Sequence, residues 1–375
     1  MPDHPSPSIL NYFAELEDPR IDRTKEHLLL DIVAIAICAI ICGADSWVDI
    51  EAYGAAKQGW LAQFLPLPNG IPSHDTFARV FARLDPQQLQ QCFLNWIRAI
   101  SNLTTGEVIA VDGKQLRHSY DRGASKGAIH MVSAWATSNR LVLGQRQVDA
   151  KSNEITAIPE LLRILEISGC IVTLDAMGTQ KDIANAIVEQ GADYVLALKG
   201  NQTSLHEDVQ WLFEQAQKSG FEQVPHDFDQ TIDKAHGRIE IRRCWTLTDL
   251  EYLVQKQQWK GLQSIAMIQA QRRINGTTTT ETRFYISSLA GNAKQIANAV
   301  RSHWGIENAL HWVLDVSFGE DSSRIRTENA PQNFALLRQI ALNLLTQEQT
   351  AKVGVKAKRK KAGWDNDYLC QVLAQ

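Results

Sequence analysis

The stretch VIAVDGK (108–114) is a short apolar run, rich in β-branched residues, that ends in a carboxylate at Asp112. The stretch IVTLDAM (171–177) repeats this pattern and places Asp175 at the end of its run. Runs of this kind are typical of buried parallel strands. A third acidic residue, Glu307, lies in a segment with helical periodicity. We expect these two strands and this helix to bring the three carboxylates to one point.

Three clustered carboxylates predict a site for divalent metal ions. Mg²⁺ prefers hard oxygen ligands and usually keeps several waters, so these side chains and phosphate oxygens would complete one or two octahedral sites. Two such ions, Mg²⁺ or alternatively Mn²⁺, activate the attacking oxygen and stabilise the leaving oxygen of an in-line displacement. We therefore predict that Asp112, Asp175 and Glu307 are both the metal ligands and the catalytic residues of a nucleic-acid phosphoryl-transfer enzyme. Without metal, clustered carboxylates should raise one another's pKa values.

The order of the central elements predicts the fold class. Three consecutive strands precede two helix–strand pairs. The strands are expected at 108–111, 129–136, 140–148, 171–174 and 194–198, and the helices at 156–165 and 181–190. This order, with acids at the ends of the first and fourth strands, matches the mixed sheet of a ribonuclease-H-like fold. Right-handed crossovers would place those two strand ends side by side.

The spacing of the acids and the flanking patterns predict three parts. Asp112 and Asp175 are 63 residues apart, whereas Asp175 and Glu307 are 132 apart, which indicates an insertion. We predict an α/β protein with an N-terminal all-helical domain and a ribonuclease-H-like catalytic domain. An inserted subdomain precedes the glutamate helix, and a basic tail ends the chain. The expected bounds are 1–100, 105–350 with the insertion at about 205–290, and 351–375. Within them, helices are expected at 28–42, 47–64, 73–84, 211–217 and 332–345, and inserted strands at 239–246, 264–273 and 282–287.

The overall charge gives no sign of a nucleic-acid-binding protein, but one segment is basic. The net charge is −4 and the pI is about 6.2, so attraction to phosphate must come from local clusters. Nine Lys or Arg residues and two acids lie in 324–361, a local charge of +7. The lysine-rich end from Lys352 is expected to be disordered. It would add salt-dependent affinity for DNA or, alternatively, act only as a solubilising end.

Cysteine usage and hydropathy predict a cytoplasmic protein without a membrane partner. The six cysteines are scattered without metal-ligand spacing, which is typical of reduced core thiols in the cytosol. The first six residues, MPDHPS, lack the basic and apolar regions of a secretion signal. The most apolar segment, 32–43, is much shorter than the roughly 20 residues of a membrane-spanning helix, so we expect a buried helix there.

Candidate DNA contacts are polar and basic side chains near the expected site or in the insertion. They are Lys114, Lys199, Asn201, Gln202, Arg238, Arg242, Arg301 and His303. Lys114 would point to the same side of the strand as Asp112, although a solvated loop lysine is an equal alternative. Residues 199–202 follow the fifth strand at the edge where strand carboxyl ends, and hence ligands, gather.

Two histidines accompany Glu307 on its helix, which raises the alternative of a zinc site. His303 and His311 are two turns apart with Glu307 between them. Histidine pairs in zinc sites of this type are one turn apart, with the third ligand elsewhere, so the spacing argues against zinc. Contact with a phosphate, support of Glu307 and plain packing remain as roles for these histidines.

Several strings closely resemble the H-repeat-associated group of bacterial insertion-sequence DDE transposases. They are VDGK (111–114), LDAM (174–177), LKGNQ (198–202), HGRIEIR (236–242), RSHWGIEN (301–308), LHWVLDV (310–316) and APQN (330–333). The string GIPSHDTF (70–77) is similar to the helical domain associated with that group. The likeness covers nearly the whole chain, and the order and spacing of the strings make it specific.

This resemblance implies a catalytic triad of Asp112, Asp175 and Glu307 that holds two divalent ions. It implies metal-dependent DNA cleavage at transposon ends and strand transfer into target DNA. The expected partners are the inverted repeats of the transposon, target DNA and further copies of the chain in a synaptic complex. The expected location is the bacterial cytoplasm, in association with the nucleoid.

The chain departs from the signature of the wider superfamily around the catalytic glutamate. That signature places Tyr, Arg and Lys at fixed distances from the Glu, where this chain has Val300, His303 and Leu314. The HWGIEN variant is itself characteristic of the H-repeat-associated group. The resemblance therefore implies that phosphate contacts come from other residues.

Two other functions remain open at the level of sequence. A ribonuclease-H-fold nuclease would cut DNA without joining it, and the triad does not separate the two activities. A non-catalytic DNA-binding remnant of a transposase would need none of the three acids, and their presence argues against it. A strand-transfer assay would distinguish these functions.

Overall fold

The computed structural model describes residues 8–120, 127–148, 153–235 and 237–375. The start of the chain, on which the prediction about a secretion signal rests, lies outside the described residues, as does His236 of the HGRIEIR string. Among the described residues, no helix combines the length and the apolarity that crossing a bilayer requires.

One mixed sheet of nine strands forms the centre of the described structure. The strands are β1 (Val108–Leu116), β2 (Ile129–Ala136), β3 (Leu141–Val148), β4 (Ile171–Leu174), β5 (Asp193–Leu198), β6 (His226–Ala235), β7 (Arg238–Leu247), β8 (Ser264–Ile274) and β9 (Thr277–Ser287). Their order is β3-β2-β1-β4-β5-β9-β8-β7-β6. Strands β1, β4 and β5 are parallel, and the other pairs are antiparallel. The predicted α/β class with a mixed sheet is confirmed.

Strand β1 is longer than its apolar run, which changes the setting of Asp112. The parallel pairing with β4 ends at Val111, opposite Leu174. The antiparallel pairing with β2 continues to Leu116, opposite Ile129. Asp112 therefore lies inside a strand, at the point where that strand loses one of its two neighbours, and not at a strand end as the sequence suggests.

The inserted strands continue the sheet. Strand β9 pairs with β5 through Val195 to Leu198, and β8, β7 and β6 follow as antiparallel neighbours. The predicted strands at 239–246, 264–273 and 282–287 are confirmed as parts of β7, β8 and β9. Strand β6, HDFDQTIDKA, was not predicted, because its polar residues do not form an alternating pattern. It lies at the edge of the sheet, where both of its faces are largely exposed.

Helices cover the sheet and form the N-terminal part. They are α1 (Leu29–Ile41), α2 (Trp47–Leu61), α3 (His74–Arg83), α4 (Pro86–Ile100), α5 (Glu154–Ile164), α6 (Lys181–Glu189), α7 (Thr203–Lys218), α8 (Ala293–Gly305), α9 (Trp312–Phe318), α10 (Ala330–Gln347), α11 (Val355–Trp364) and α12 (Asn366–Leu373). A π-helical turn, Ile306–His311, joins α8 to α9. The helices predicted from periodicity are confirmed, with ends shifted by a few residues; that at 211–217 is the second half of the longer α7.

Helix α10 connects the N-terminal helices to the sheet. On one side, the side chain of Asn333 donates hydrogen bonds to the carbonyls of Phe81 (2.8 Å) and Leu84 (2.9 Å) at the end of α3. On another, Asn343 donates to the carbonyl of Val142 in β3 and accepts from its N–H, both at 2.9 Å. Residues of all these elements belong to one apolar core, so the N-terminal helices and the sheet share it.

The prediction of a disordered basic C-terminal tail is wrong, because residues 355–373 form two packed helices. Lys358 and Arg359 are 6% and 4% exposed. The Lys358 ammonium donates to the carbonyl of Leu345 (2.8 Å), and the Arg359 guanidinium donates to that of Ile40 (2.9 Å). These carbonyls lie near the C-terminal ends of α10 and α1, where helices leave acceptors unsatisfied. A pattern of charge alone does not reveal such distant acceptors.

Candidate active site

The three predicted catalytic carboxylates line one cavity of about 320 Å³. Asp112 comes from β1, Asp175 directly follows β4, and Glu307 lies in the π-helical turn. Adjacent parallel strands place Asp112 and Asp175 side by side, since the pairing of β1 with β4 ends one residue before each of them. The cavity is open, and the side chains of Asp175 and Glu307 reach solvent. The structure therefore brings together the three acids that the sequence singles out.

The π-helical turn sets the direction of Glu307. Ile306 and Leu310 are fully buried and anchor the turn in the core. A π-turn closes i→i+5 hydrogen bonds, so it holds more residues per turn than an α-helix, and it is frequent at functional sites. Here it leaves Glu307 in the cavity while Nδ1 of His311 lies 3.5 Å from Oδ2 of Asp112. The turn thus places the side chains of Glu307 and His311 on the side of β1 that carries Asp112.

Burial and neighbouring acids make Asp112 difficult to ionise. Burial raises the pKa of Asp112, and the charges of Asp175, Glu154 and Glu307 raise it further, to about 7. The backbone N–H of Gly113 opposes this effect but does not cancel it. The expected repulsion between the clustered carboxylates contributes to the shift at Asp112, but burial is its largest cause. A divalent cation would reverse this balance, because it favours the ionised form.

The two histidines on the glutamate side of the cavity are neutral near pH 7. His303 contacts the hydroxyl of Thr173 through Nδ1 at 3.0 Å, and burial lowers its pKa. Burial, assisted by the charge of Lys114, lowers the pKa of His311 to about 4. His303 therefore links α8 to β4, and neither ring offers a positive charge to phosphate at neutral pH.

A fourth carboxylate, Glu154, lies beside the site and was not predicted. It is in the first turn of α5, with Oε1 2.6 Å from Nε2 of His130. A Cβ atom on Gly113 would lie 2.0 Å from the same oxygen, so Gly113 is needed for this approach. In the sequence, Glu154 follows an ordinary helix cap, Asn153, and no local signal connects it with Asp112.

Comparison with known proteins supports a family assignment over both parts of the chain. The family model described as "Transposase DDE domain" matches residues 103–344. The model described as "DDE_Tnp_1-associated" matches residues 10–97. The chain belongs to the DDE transposase family.

Individual members of this family are similar along nearly the whole chain. The "H repeat-associated putative transposase YhhI" of Escherichia coli (strain K12) is 43% identical over 98% of this chain and 97% of its own length. The "Putative transposase YncI" of Escherichia coli O157:H7 is 42% identical over 98% of this chain and 94% of its own. The suspected resemblance to the H-repeat-associated group is confirmed.

A more distant likeness is found among solved structures. A piggyBac transposase in a synaptic complex with hairpin DNA is 10% identical, covers 94% of this chain and has a TM-score of 0.42. That score is too low to support an argument about function.

The donor chemistry of this DDE transposase fits the divalent metals that the family uses. All three acids offer hard carboxylate oxygens to one cavity. Within the described residues, however, no three His, Cys, Asp or Glu side chains are placed to hold a single ion. Mg²⁺ is usually bound through one or two carboxylates, with water and substrate phosphate as its other ligands. The side chains therefore fit a site that substrate completes, and do not form a closed protein cage.

The predicted DNA contacts after β5 brace the loop that carries Asp175. The amide of Asn201 donates to the carbonyl of Ala176 (2.6 Å), and that of Gln202 donates to the carbonyl of Thr179 (3.0 Å). Lys199 lines the catalytic cavity and is exposed. Of these three residues, Lys199 is the one placed to reach a phosphate without giving up a contact with that loop.

The predicted contacts in the insertion lie in a second, larger cleft. It has a volume of about 710 Å³ and is lined by residues of the inserted strands and of α8. Six arginines line it: Arg238, Arg242, Arg243, Arg272, Arg283 and Arg301. Two of the predicted contacts share an acidic partner, since Arg242 and Arg301 lie 3.0 and 3.1 Å from Asp233. Arg272 and Arg283 were not predicted, because only the register of β8 and β9 brings them to this face.

Proposed function

We propose that this protein cleaves DNA at the ends of its transposon and transfers the freed strand into target DNA. The observation that supports this most directly is the shared cavity of Asp112, Asp175 and Glu307 in a member of the DDE transposase family. The strand order β3-β2-β1-β4-β5 supports a ribonuclease-H-like catalytic core. So does the position of Asp112 and Asp175, each of which directly follows the last pair of residues that joins β1 to β4. The inserted strands then extend that core at its β5 edge.

The side chains of the site would act as ligands and supports. Two bound divalent ions would activate the attacking oxygen and stabilise the leaving oxygen. Asp112, Asp175 and Glu307 would supply the protein oxygens, and Asp112 would give up its proton when the site is filled. The contact of His303 with Thr173 holds α8 against β4. The amides of Asn201 and Gln202 hold the loop after Asp175.

The arginine-rich cleft would guide the DNA backbone to this cavity. Arg283, Val300 and Trp304 line both the cleft and the catalytic cavity, so the two spaces adjoin. Arg238, Arg242 and Arg301 would contact phosphates there, and Lys199 would do so at the cavity itself. Basic side chains of this kind supply affinity that falls with salt concentration. The substrates would be the inverted repeats and target DNA, with further copies of the chain in the synaptic complex.

The decisive experiment is cleavage and joining of a duplex that carries the inverted repeats flanking the gene. It uses Mg²⁺ or Mn²⁺ and compares the wild type with Asp112→Asn, Glu307→Gln and a control, Asp182→Asn, an exposed acid outside the cavity. We expect metal-dependent joining in the wild type and the control and none in the two site variants. Cleavage without joining would indicate a nuclease. Binding without any chemistry would indicate a DNA-binding remnant.

A further inference from the structure

Lys114 lies on β1 two residues beyond Asp112 and forms ion pairs with two carboxylates far along the chain. Its ammonium nitrogen is 2.8 Å from Oε2 of Glu320 and contacts Oδ1 of Asp315. Asp315 lies in α9, eight residues after Glu307, and Glu320 follows Gly319, whose backbone φ is +59°. One lysine thus joins the strand of Asp112 to two points on the segment that follows the glutamate turn.

The cluster is largely shielded from solvent. The side chains of Lys114 and Glu320 are 14% and 3% exposed, and that of Asp315 is 29% exposed. Removing one partner from such a cluster leaves a buried charge unpaired, which is costly. For Lys114 to bind a phosphate, it would have to leave both carboxylates without their partner.

A second cation lies close to the same two acids. Arg338 of α10 is buried, and burial lowers its pKa; the charges of Glu320 and Asp315 oppose this effect without cancelling it. The two acids therefore act on Arg338 as well as on Lys114.

Further contacts join the same two segments beyond Lys114. Nε of Arg117 lies 3.3 Å from a carboxylate oxygen of Asp321. His118 contacts the backbone carbonyl of Asp321, and Arg326 donates to the carbonyl of His118 at 2.9 Å. The distal end of β1 and the segment 315–326 are therefore held together at several places.

We propose that Lys114 is a positioning residue, which docks the glutamate turn against β1 so that Glu307 and Asp112 face the same phosphate. This inference rests on the proposed function and replaces the DNA contact expected for Lys114 from the sequence. The clustered acids of the metal-free site repel one another, and the ion pairs of Lys114 oppose the separation of β1 from the glutamate turn. Asp315 and Glu320, which the site itself does not use, would be retained for this purpose.

The test replaces Lys114 with methionine, which is similar in length and uncharged, and uses Lys199→Met as the matched control. Lys199 lines the catalytic cavity and is exposed, whereas Lys114 lies two residues beyond Asp112 and is ion-paired. For each variant we would measure DNA affinity at several salt concentrations. We would also measure the single-turnover cleavage rate at saturating DNA and the Mg²⁺ concentration that gives half of that rate.

We expect Lys114→Met to bind DNA with unchanged affinity and salt dependence. Its cleavage rate should fall by about 100-fold, the cost of a catalytic group displaced by roughly 1 Å. The half-saturating Mg²⁺ concentration should rise, because the carboxylates no longer start in place. Lys199→Met should instead weaken binding and reduce the slope of log affinity against log salt by about 1. A merely structural lysine would lower the amount of folded protein without changing the metal dependence.

A second variant keeps the test valid if Lys114→Met does not fold. The double change Lys114→Met with Asp315→Asn removes one cation and one anion, and it leaves the buried Glu320 with Arg338, whose charged form it favours. It should restore the melting temperature while keeping the slow cleavage and the raised Mg²⁺ requirement. Recovery of wild-type cleavage in this variant would overturn the proposal.

The outcomes separate this inference from the function on which it rests. If the wild type neither cleaves nor joins DNA, the proposed function fails and the inference fails with it. If the wild type is active but Lys114→Met shows weaker binding and a shallower salt dependence, Lys114 contacts phosphate and only the inference is overturned. A wild-type rate and metal requirement in Lys114→Met would also overturn the inference alone.

Discussion

Asp112 and Glu348 are both withdrawn from solvent, yet their surroundings shift their pKa values in opposite directions. At Asp112, burial and the charges of Asp175, Glu154 and Glu307 raise the pKa to about 7. At Glu348, burial opposes ionisation, but hydrogen bonds from Thr350 and Tyr368 outweigh it and lower the pKa to about 2. The Tyr368 hydroxyl donates at 2.7 Å, and the Lys358 ammonium is 3.4 Å away.

The difference shows how to distinguish a carboxylate that serves the fold from one that serves chemistry. Hydrogen-bond donors surround Glu348, so its charge is stabilised, and its contacts hold α10, α11 and α12 together. Other acids surround Asp112, so its charge has no stabilising partner unless a cation is bound. Strongly perturbed carboxylates in a cavity are candidates for function, whereas satisfied ones in a packed interior support structure.

The largest expected effect comes from replacing each of these two acids with its amide. Asp112→Asn should lower metal-dependent cleavage by roughly 1000-fold or more, as expected when one member of a catalytic unit is removed. Glu348→Gln should leave the activity per folded molecule within a few fold while lowering the melting temperature. Cleavage assays on protein checked by circular dichroism would measure both. Equal losses of activity in the two variants would break the comparison.

A smaller effect tests whether the C-terminal segment is structural. Arg359 donates to the carbonyls of Ile40 and Ser317, and it pairs with Asp45 at 3.0 Å. Arg359→Met should lower the free energy of unfolding by about 3 kcal/mol, because it leaves buried acceptors without donors. Lys360→Met, which removes an exposed neighbour, should change it by less than about 0.5 kcal/mol. Urea titrations would measure the free energy of unfolding of both variants. Equal losses in the two variants would indicate that the C-terminal segment is a solvated tail.

The pH dependence of the metal-free protein gives a third test. A raised pKa means that folded Asp112 holds its proton more tightly than the unfolded chain does. The resulting loss of stability therefore builds up as the pH rises from about 4 to 7 and is complete above pH 7. Asp112→Asn should stabilise the chelator-treated protein by about 2 kcal/mol at pH 8, allowing for water in the open cavity, and by clearly less at pH 5. A gain that is the same at both pH values would show that the surroundings of Asp112 do not shift its titration.

The smallest expected effect compares the basic residues of the arginine-rich cleft with those of the C-terminal helices. Arg301 is half exposed in the arginine-rich cleft and pairs with Asp233. Arg301→Met should weaken DNA binding several-fold and reduce the salt slope by about 1, if one phosphate contact is lost. Lys360→Met serves again as the control. Fluorescence anisotropy with labelled duplex over a range of salt concentrations would measure the slopes, and a larger change for Lys360 would place DNA on the C-terminal helices.

Local patterns in the sequence were sufficient for most of the sheet and for the grouping of the three acids. The apolar runs that end at Asp112 and Asp175 mark two adjacent strands, since a buried parallel strand shows its character in its own residues. Helical periodicity likewise marks the segment of Glu307. Each of these signals lies within a few residues of the feature that it predicts.

The missed features depend on residues that are distant in the chain. Strand β6 is polar and takes its conformation from its pairing with β7. The partners of Lys114 lie about 200 residues away, and those of Arg359 lie more than 300 residues away for Ile40 and Asp45. A lysine that forms an ion pair inside the protein and a lysine that is free to bind phosphate look the same in a sequence. The two can be told apart only in the folded structure, which shows whether an acidic side chain lies next to the lysine.

The place of α10 between the N-terminal helices and the sheet has a consequence for synthesis of the chain. Helix α1 buries 12 of its 13 residues and packs against α10, which lies far behind it in the chain. During synthesis, the N-terminal helices therefore form some 300 residues before the helix that covers their apolar surface. We expect a product that stops before residue 330 to expose this apolar surface and to be held by chaperones or degraded. Truncation of the gene would then remove the protein from the cell and would not leave a stable fragment to compete with the full-length chain.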